Sequence, residues 1–247
     1  MDVKKYFVDV RHDFYEYYGR LPNANGGVDL AKEFLAKNPS TDLQVREFYR
    51  ECNYIDDLAY WHIKQKKYIQ SQKLLKILLF LKDKFLFKNI LEIGAGIGTE
   101  SVICSYFFDH VISVEPNVRN VDFFMFRLNK HGISNVEIIC GNDSNIGKVK
   151  TDICFFMDVI EHVKDADCFI NNVIEKTDSN VFIFNNFGAH RKEALQDPYH
   201  FNHNRNTLYK LFEKFGYRKV KVHLYFPPVV FIKNTYDLNG IEFHNCK

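Results

Sequence analysis

From Asn89 onward the chain alternates short apolar runs with longer mixed stretches, and this alternation restricts the fold more than any other feature. The runs NILEI (89–93), HVISV (110–114), VEII (136–139), DICFFM (152–157) and VFIFN (181–185) have the length of strands. The segments between them are long enough for crossover helices. One is predicted to run from a cap at Asn117 to Lys130, with His131-Gly132 as its stop, and another to span 163–176. Strand, crossover and strand in repetition imply parallel pairing and a doubly wound α/β sheet. After the fifth run Asn206 is predicted to cap a helix ending at Gly216. KVKVHLY, FPP and VVFI then predict an antiparallel hairpin turned at Pro227-Pro228 that closes one sheet edge. The expected fold class is a doubly wound, Rossmann-like, mostly parallel seven-stranded sheet with an antiparallel C-terminal hairpin.

The first 88 residues read differently. They are rich in aromatics, carry a loop from Pro22 to Gly27, and predict helices near 28–37, 42–52 and 66–84, the second opened by a capping box Thr41-Asp42-Leu43-Gln44. Without a low-complexity linker or a repeat, this N-terminal helical extension is expected to pack on the rest. The expected division is 1–88 as a lid and acceptor segment and 89–247 as the sheet domain.

Composition excludes several classes. Of 247 residues, 46% are hydrophobic and 24 are Phe, enough for a large core and too many for a disordered chain. The net charge of +2 is too balanced to point to a polyanion, so no nucleic-acid partner is expected. The apolar stretch from Leu74 to Leu81 is broken by Lys76 and falls far short of the roughly 20 residues of a membrane span. The N-terminal stretch becomes charged before a signal-like apolar core can form. Six cysteines without a C-x-x-C pair read as reduced thiols, and the expected compartment is the cytoplasm. No feature indicates an oligomeric state.

The first strand runs directly into Gly94-Ala95-Gly96-Ile97-Gly98-Thr99 and then a helix, the strand, tight turn and helix N-terminus of a nucleotide-type site. Glu115 ends the second strand, where a carboxylate can accept both hydroxyl protons of a ribose. A dinucleotide fingerprint would put its third glycine one position later, where Thr99 stands, and the phosphate-loop signature is absent.

E-I-G-A-G-I-G, with Glu92 two residues before the first glycine, resembles motif I of the class I S-adenosylmethionine-dependent methyltransferases. Ile112-Ser113-Val114-Glu115-Pro116 resembles their second motif, Gly141-Asn142-Asp143-Ser144 their adenine-contacting segment, and FMDVIEHV (156–163) their fourth-strand motif. The resemblance covers roughly residues 89 to 225 and is strongest to the ubiquinone-pathway and small-molecule O-methyltransferase branch. It implies S-adenosyl-L-methionine as cofactor. It implies Glu92, Gly94, Ala95, Gly96 and Gly98 around the methionine part, Glu115 with Pro116 at the ribose, Asn142 and Asp143 at the adenine edge, and Met157 and Asp158 beside the sulfonium. An ammonium and a sulfonium also explain why the turn carries acids and no phosphate-binding lysine.

Transfer to a hydroxyl needs alignment and a base. His162, just after the fourth strand, is the first candidate; His190, His200 and His203, in the cluster after the fifth strand, are the others. His200-x-x-His203 with Asp197 has a spacing seen at metal sites, but no metal is expected. Arg46 and Arg50, one helical turn apart, could hold an anion. Together these features predict an enzyme that O-methylates a small polar or anionic metabolite, with a sugar or phosphorus-containing substituent of a surface-glycan precursor as one option. RNA or protein N-methylation is the alternative. A non-catalytic cofactor-binding protein and an NAD-dependent oxidoreductase stand behind it.

Overall fold

The computed structural model describes residues 9–63, 66–185, 198–222 and 228–237, with backbone alone for 66–70. Helices α1 (Val10–Tyr18), α2 (Gly26–Lys37), α3 (Asp42–Glu51), α4 (Ile55–Ile63) and α5 (Lys66–Phe85) precede the first strand. Then follow β1 (Asn89–Ile93), α6 (Thr99–Ser105), β2 (His110–Glu115), α7 (Val118–Lys130), β3 (Val136–Cys140), β4 (Ile153–Phe156), α8 (Ala166–Thr177), β5 (Val181–Phe184), α9 (Arg205–Lys214), β6 (Tyr217–Val220) and β7 (Val229–Lys233).

The seven strands form one sheet in the order β3-β2-β1-β4-β5-β7-β6. The first five pair in parallel, with Ile90 opposite both Val111 and Ile153, and β7 runs antiparallel to β5 and β6. Side chains alternate between two buried faces, as a sheet covered on both sides requires. Leu91, Ile93, Phe156 and Phe184 pack with Phe169 of α8 and Phe212 of α9. Ile90, Phe155 and Ile183 pack on the opposite face with Leu74, Leu78 and Leu81 of α5.

The sheet and its hairpin agree with the sequence reading, and the turn of that hairpin lies outside the described residues. Helix α5 shares the apolar cluster of the strands, so it covers the sheet, and the helices over the strand ends are α1 to α4. The capping box is present: the Gln44 N–H donates to Thr41 Oγ1 (3.2 Å) and the Thr41 N–H to Gln44 Oε1 (3.1 Å). Helix α9 begins earlier than expected. Asn204, in extended backbone, accepts from the Asn206 and Thr207 N–H groups, so Asn206 is already helical. Helices α1 and α4 have no counterpart in the sequence reading. They form because Phe14 and Ile55 bury against Ile97 and Phe123, contacts set by tertiary packing.

Candidate functional site

The strand order reverses between β1 and β4, and there the carboxyl ends of β1, β2 and β4 open into a crevice. Helices α2 to α4 roof it, leaving a cavity of about 790 Å³. Its floor is the turn after β1. Gly94, Gly96 and Gly98 all have positive φ, and a Cβ on any of the three would meet a side chain, that on Gly94 reaching Val159 at 2.4 Å. A Cβ on Gly98 would lie 2.1 Å from the Phe124 ring, and one on Gly96 would point to Leu58 of the roof at 3.1 Å. The bare backbone of Gly96 therefore faces the cavity.

Glu115, at the end of β2, is buried. Its Oε2 accepts the Gly96 N–H (2.7 Å), and its Oε1 accepts the Asn117 N–H and Asn120 Nδ2, both at 3.0 Å. Burial raises its pKa above the ordinary value of 4.5, and these three hydrogen bonds restrain the rise. A carboxylate offers about four acceptor positions, so one is open to a ligand hydroxyl. A second ribose hydroxyl would compete with a donor of the chain itself. Glu92, also buried, accepts the Ser101 hydroxyl, and Ser101 is in turn bonded to Ser113 (2.6 Å).

The two residues expected at the adenine edge are engaged by the chain. Asp143 accepts Arg46 Nη1 on one oxygen and Asn172 Nδ2 (3.0 Å) on the other. Asn142 caps the short 3-10 turn after β3, its Oδ1 accepting the Ser144 N–H (2.9 Å) and Oγ (2.6 Å). Arg46 also donates to Asp42 (2.5 Å). Burial works against its charge, and these carboxylates outweigh burial and raise its pKa. Arg46 is the one lysine or arginine among the described residues lining the cavity.

Met157 and Asp158 line the wall above β4. Asp158 has φ +54, an uncommon conformation for a residue with a side chain, and it is held from both sides. Its N–H donates to Asn185 Oδ1 (2.5 Å), and Asn185 Nδ2 donates to its Oδ1 (2.7 Å).

Of the four histidines singled out, His162 and His200 line the cavity, with rings 4.8 Å apart. His162 Nδ1 lies 2.8 Å from Tyr49 Oη. His203 turns away: its Nε2 bonds the Ile160 carbonyl (3.1 Å), a contact that anchors the chain after β4. His190 lies outside the described residues. The aromatic wall beside His162 comprises Tyr49, Tyr54 and Tyr199. Burial pushes the Tyr54 phenol well above its ordinary pKa, with Asp57 adding to the effect, so it stays neutral. Sequence reasoning missed Tyr49. A signal was present, since Asp42, Val45, Arg46 and Tyr49 follow helical spacing and all four face the cavity.

The model of a methyltransferase-domain family matches residues 60–222, and the chain belongs to that family. It is a class I S-adenosylmethionine-dependent methyltransferase, and its cofactor is S-adenosyl-L-methionine. Solved structures agree on the fold. Magnesium protoporphyrin IX methyltransferase from Synechocystis PCC 6803, with bound S-adenosylhomocysteine, is 12% identical with a TM-score of 0.57, covering 81% of this chain and 99% of its own. The methyltransferase domain of a bacterial Hen1 is 17% identical with a TM-score of 0.51, covering 65% and 98%. A protein described as a caffeoyl-CoA O-methyltransferase from Staphylococcus aureus is 20% identical with a TM-score of 0.50, covering 65% and 83%. The chain spans 63% of another similar structure, the YcgJ protein of Bacillus subtilis, at 17% identity and a TM-score of 0.47 over 54% of this chain. No curated protein sequence matches it significantly.

The residues present fit this cofactor. The bare Gly96 backbone leaves room at the turn, two buried acids stand at the ends of β1 and β2, and among the described residues the adjoining wall holds no cluster of cations for a phosphate. Among the described residues there is no group of histidines, cysteines and acids arranged to hold a metal ion, and no helix is long and apolar enough to cross a membrane.

Proposed function

We propose that this enzyme transfers the methyl group to a hydroxyl of a small polar metabolite, with His162 as the general base. The observation that carries the reading is one shared cavity. His162 and His200 line the same space as Gly94, Gly96 and Glu115, so a cofactor on the glycine turn and an acceptor beside the imidazoles would lie in one enclosure. When bound, S-adenosylmethionine supplies an electrophilic methyl group on sulfur. The protein's part is to hold the cofactor, exclude water and accept the hydroxyl proton. Glu115 and the turn from Gly94 to Gly96 hold it, with Glu92, Pro116, Met157 and Asp158 around them, while Gly98, packed on Phe124 away from the cavity lining, shapes the turn. Asn142 and Asp143 shape the adenine end through the contacts they already make.

Among acceptors, a neutral hydroxyl compound, such as a sugar unit of a glycan precursor, suits the described lining better than a phosphate. Arg46, the one arginine there, already faces two carboxylates. In this reading α2 to α4, within the first 88 residues, close over the acceptor and form its walls.

The test is to incubate the enzyme with methyl-tritiated S-adenosylmethionine and either a nuclease-treated metabolite extract, total RNA or a protein lysate. Label should pass to small molecules and transfer should fall about 100-fold in His162→Gln, within the range typical of a lost general base. Label confined to RNA or protein would refute the small-molecule acceptor. Undiminished transfer by His162→Gln would refute the base.

A further inference from the structure

We infer that Tyr49, a residue of the roof, fixes the tautomer of His162 so that its Nε2 carries the lone pair of a base. The inference rests on the reading of His162 as that base. The argument is a count of protons. Tyr49 Oη lies 2.8 Å from His162 Nδ1 and 3.1 Å from the Tyr199 carbonyl oxygen. A phenol has one proton, and a carbonyl can only accept. If the phenol gave its proton to His162, two oxygens without a proton between them would face each other at 3.1 Å. If instead it donates to the Tyr199 carbonyl, both contacts are satisfied only when His162 Nδ1 bears a hydrogen and donates it to the phenol oxygen. The second arrangement places a proton in each contact. A neutral imidazole with hydrogen on Nδ1 has its lone pair on Nε2, whatever donor Nε2 then meets.

The geometry around the pair holds this arrangement in place. The Tyr49 and His162 rings meet edge to face with centroids 5.2 Å apart, and Tyr54 and Tyr199 flank the imidazole at 6.1 Å and 6.0 Å. The backbone of Tyr49 is fixed as well. Asn117, the N-cap of α7, donates its Nδ2 to the carbonyls of Tyr49 (2.9 Å) and Cys52 (2.8 Å). Tyr49 is therefore a positioning residue, acting through His162. Because it belongs to α3, the correct tautomer is tied to the roof being seated.

The experiment is nitrogen-15 NMR of the full chain labelled at histidine, with S-adenosylhomocysteine added and at a pH where the imidazole is neutral. The His162 signal is assigned by its loss in His162→Gln. In the wild type the neutral ring should show a protonated Nδ1 and an unprotonated Nε2. In Tyr49→Phe it should change to the Nε2-protonated form, while calorimetric affinity for S-adenosylhomocysteine changes less than about threefold. An Nε2-protonated ring in the wild type overturns the inference, as does a tautomer unchanged by Tyr49→Phe. Should Tyr49→Phe fail to fold, the wild-type spectrum alone decides. Failure of the base reading is registered separately, by undiminished methyl transfer in His162→Gln.

Discussion

Replacing Asp13 by Asn should destabilise the protein by roughly 3–5 kcal/mol at neutral pH, the range for breaking a buried ion pair by removal of one partner. Asp13 on α1 is 1% exposed, and Arg127 on α7 is wholly buried. Arg127 Nε donates to Asp13 Oδ2 (3.1 Å), and its Nη1 donates to the Ile97 carbonyl (2.6 Å) and Thr99 Oγ1 (3.2 Å). Lys130 (3.0 Å) and His131 (3.1 Å) also converge on Asp13. The variant keeps the shape of the side chain and removes its charge, which leaves the buried guanidinium without the carboxylate it bonds. For a chain of this length that energy corresponds to a fall in Tm of about 6–20 °C. Burial alone would raise the Asp13 pKa, but the charge of Arg127 and the bonds from Lys130, His131 and Arg127 bring it below 3.8. A depressed folded-state pKa gives stability that is present above the unfolded value and lost as pH falls through the folded one. The gap between wild type and variant, measured by urea unfolding, should thus be flat from about pH 7 to 5 and close below about pH 4. A difference under about 1 kcal/mol, or one that persists in acid, would refute the reasoning.

Three further outcomes are expected. Gly98→Ala should cost roughly 2–6 kcal/mol, combining left-handed strain with overpacking, because its Cβ would meet Phe124 at 2.1 Å and its φ is +73; thermal unfolding reads this. Glu115→Ala should weaken S-adenosylhomocysteine binding about 10- to 150-fold by calorimetry, the equivalent of one or two charged hydrogen bonds. Arg46→Ala, which deprives the buried Asp143 of its charged partner, should cost about 1–3 kcal/mol and speed amide exchange in α3, followed by mass spectrometry, more than in β1 or β4.

The sheet was legible because its parts are local. Strands β1, β2, β4 and β5 are apolar runs buried on both faces, and the caps Thr41 and Asn117 act on N–H groups two or three residues away. The glycine turn was legible for the same reason. What escaped was non-local. Nothing near Phe14 or Ile55 says that Phe123 will cover them, so α1 and α4 went unread. Asp143 has the sequence position of an adenine reader, but a partner 97 residues away in the chain, Arg46, engages its carboxylate. The histidines divide in the same way: sequence places His162, His200 and His203 near one sheet edge, and only packing turns His203 to the Ile160 carbonyl.

Helix α3 shows why the roof and the floor of the cavity behave as one unit. Arg46 and Tyr49 stand three positions apart and share a helical face. The first reaches Asp143, beyond the end of β3, and the second reaches His162, beyond the end of β4. Asn117 closes the loop, because its N–H donates to Glu115 while its side chain holds the carbonyls at the end of α3. A shift of α3 by even one ångström or so would stretch all three connections together, since hydrogen bonds weaken steeply beyond their narrow distance range. Seating this one helix therefore brings Asp143, Glu115 and His162 into their final arrangement at once, although they follow three different strands.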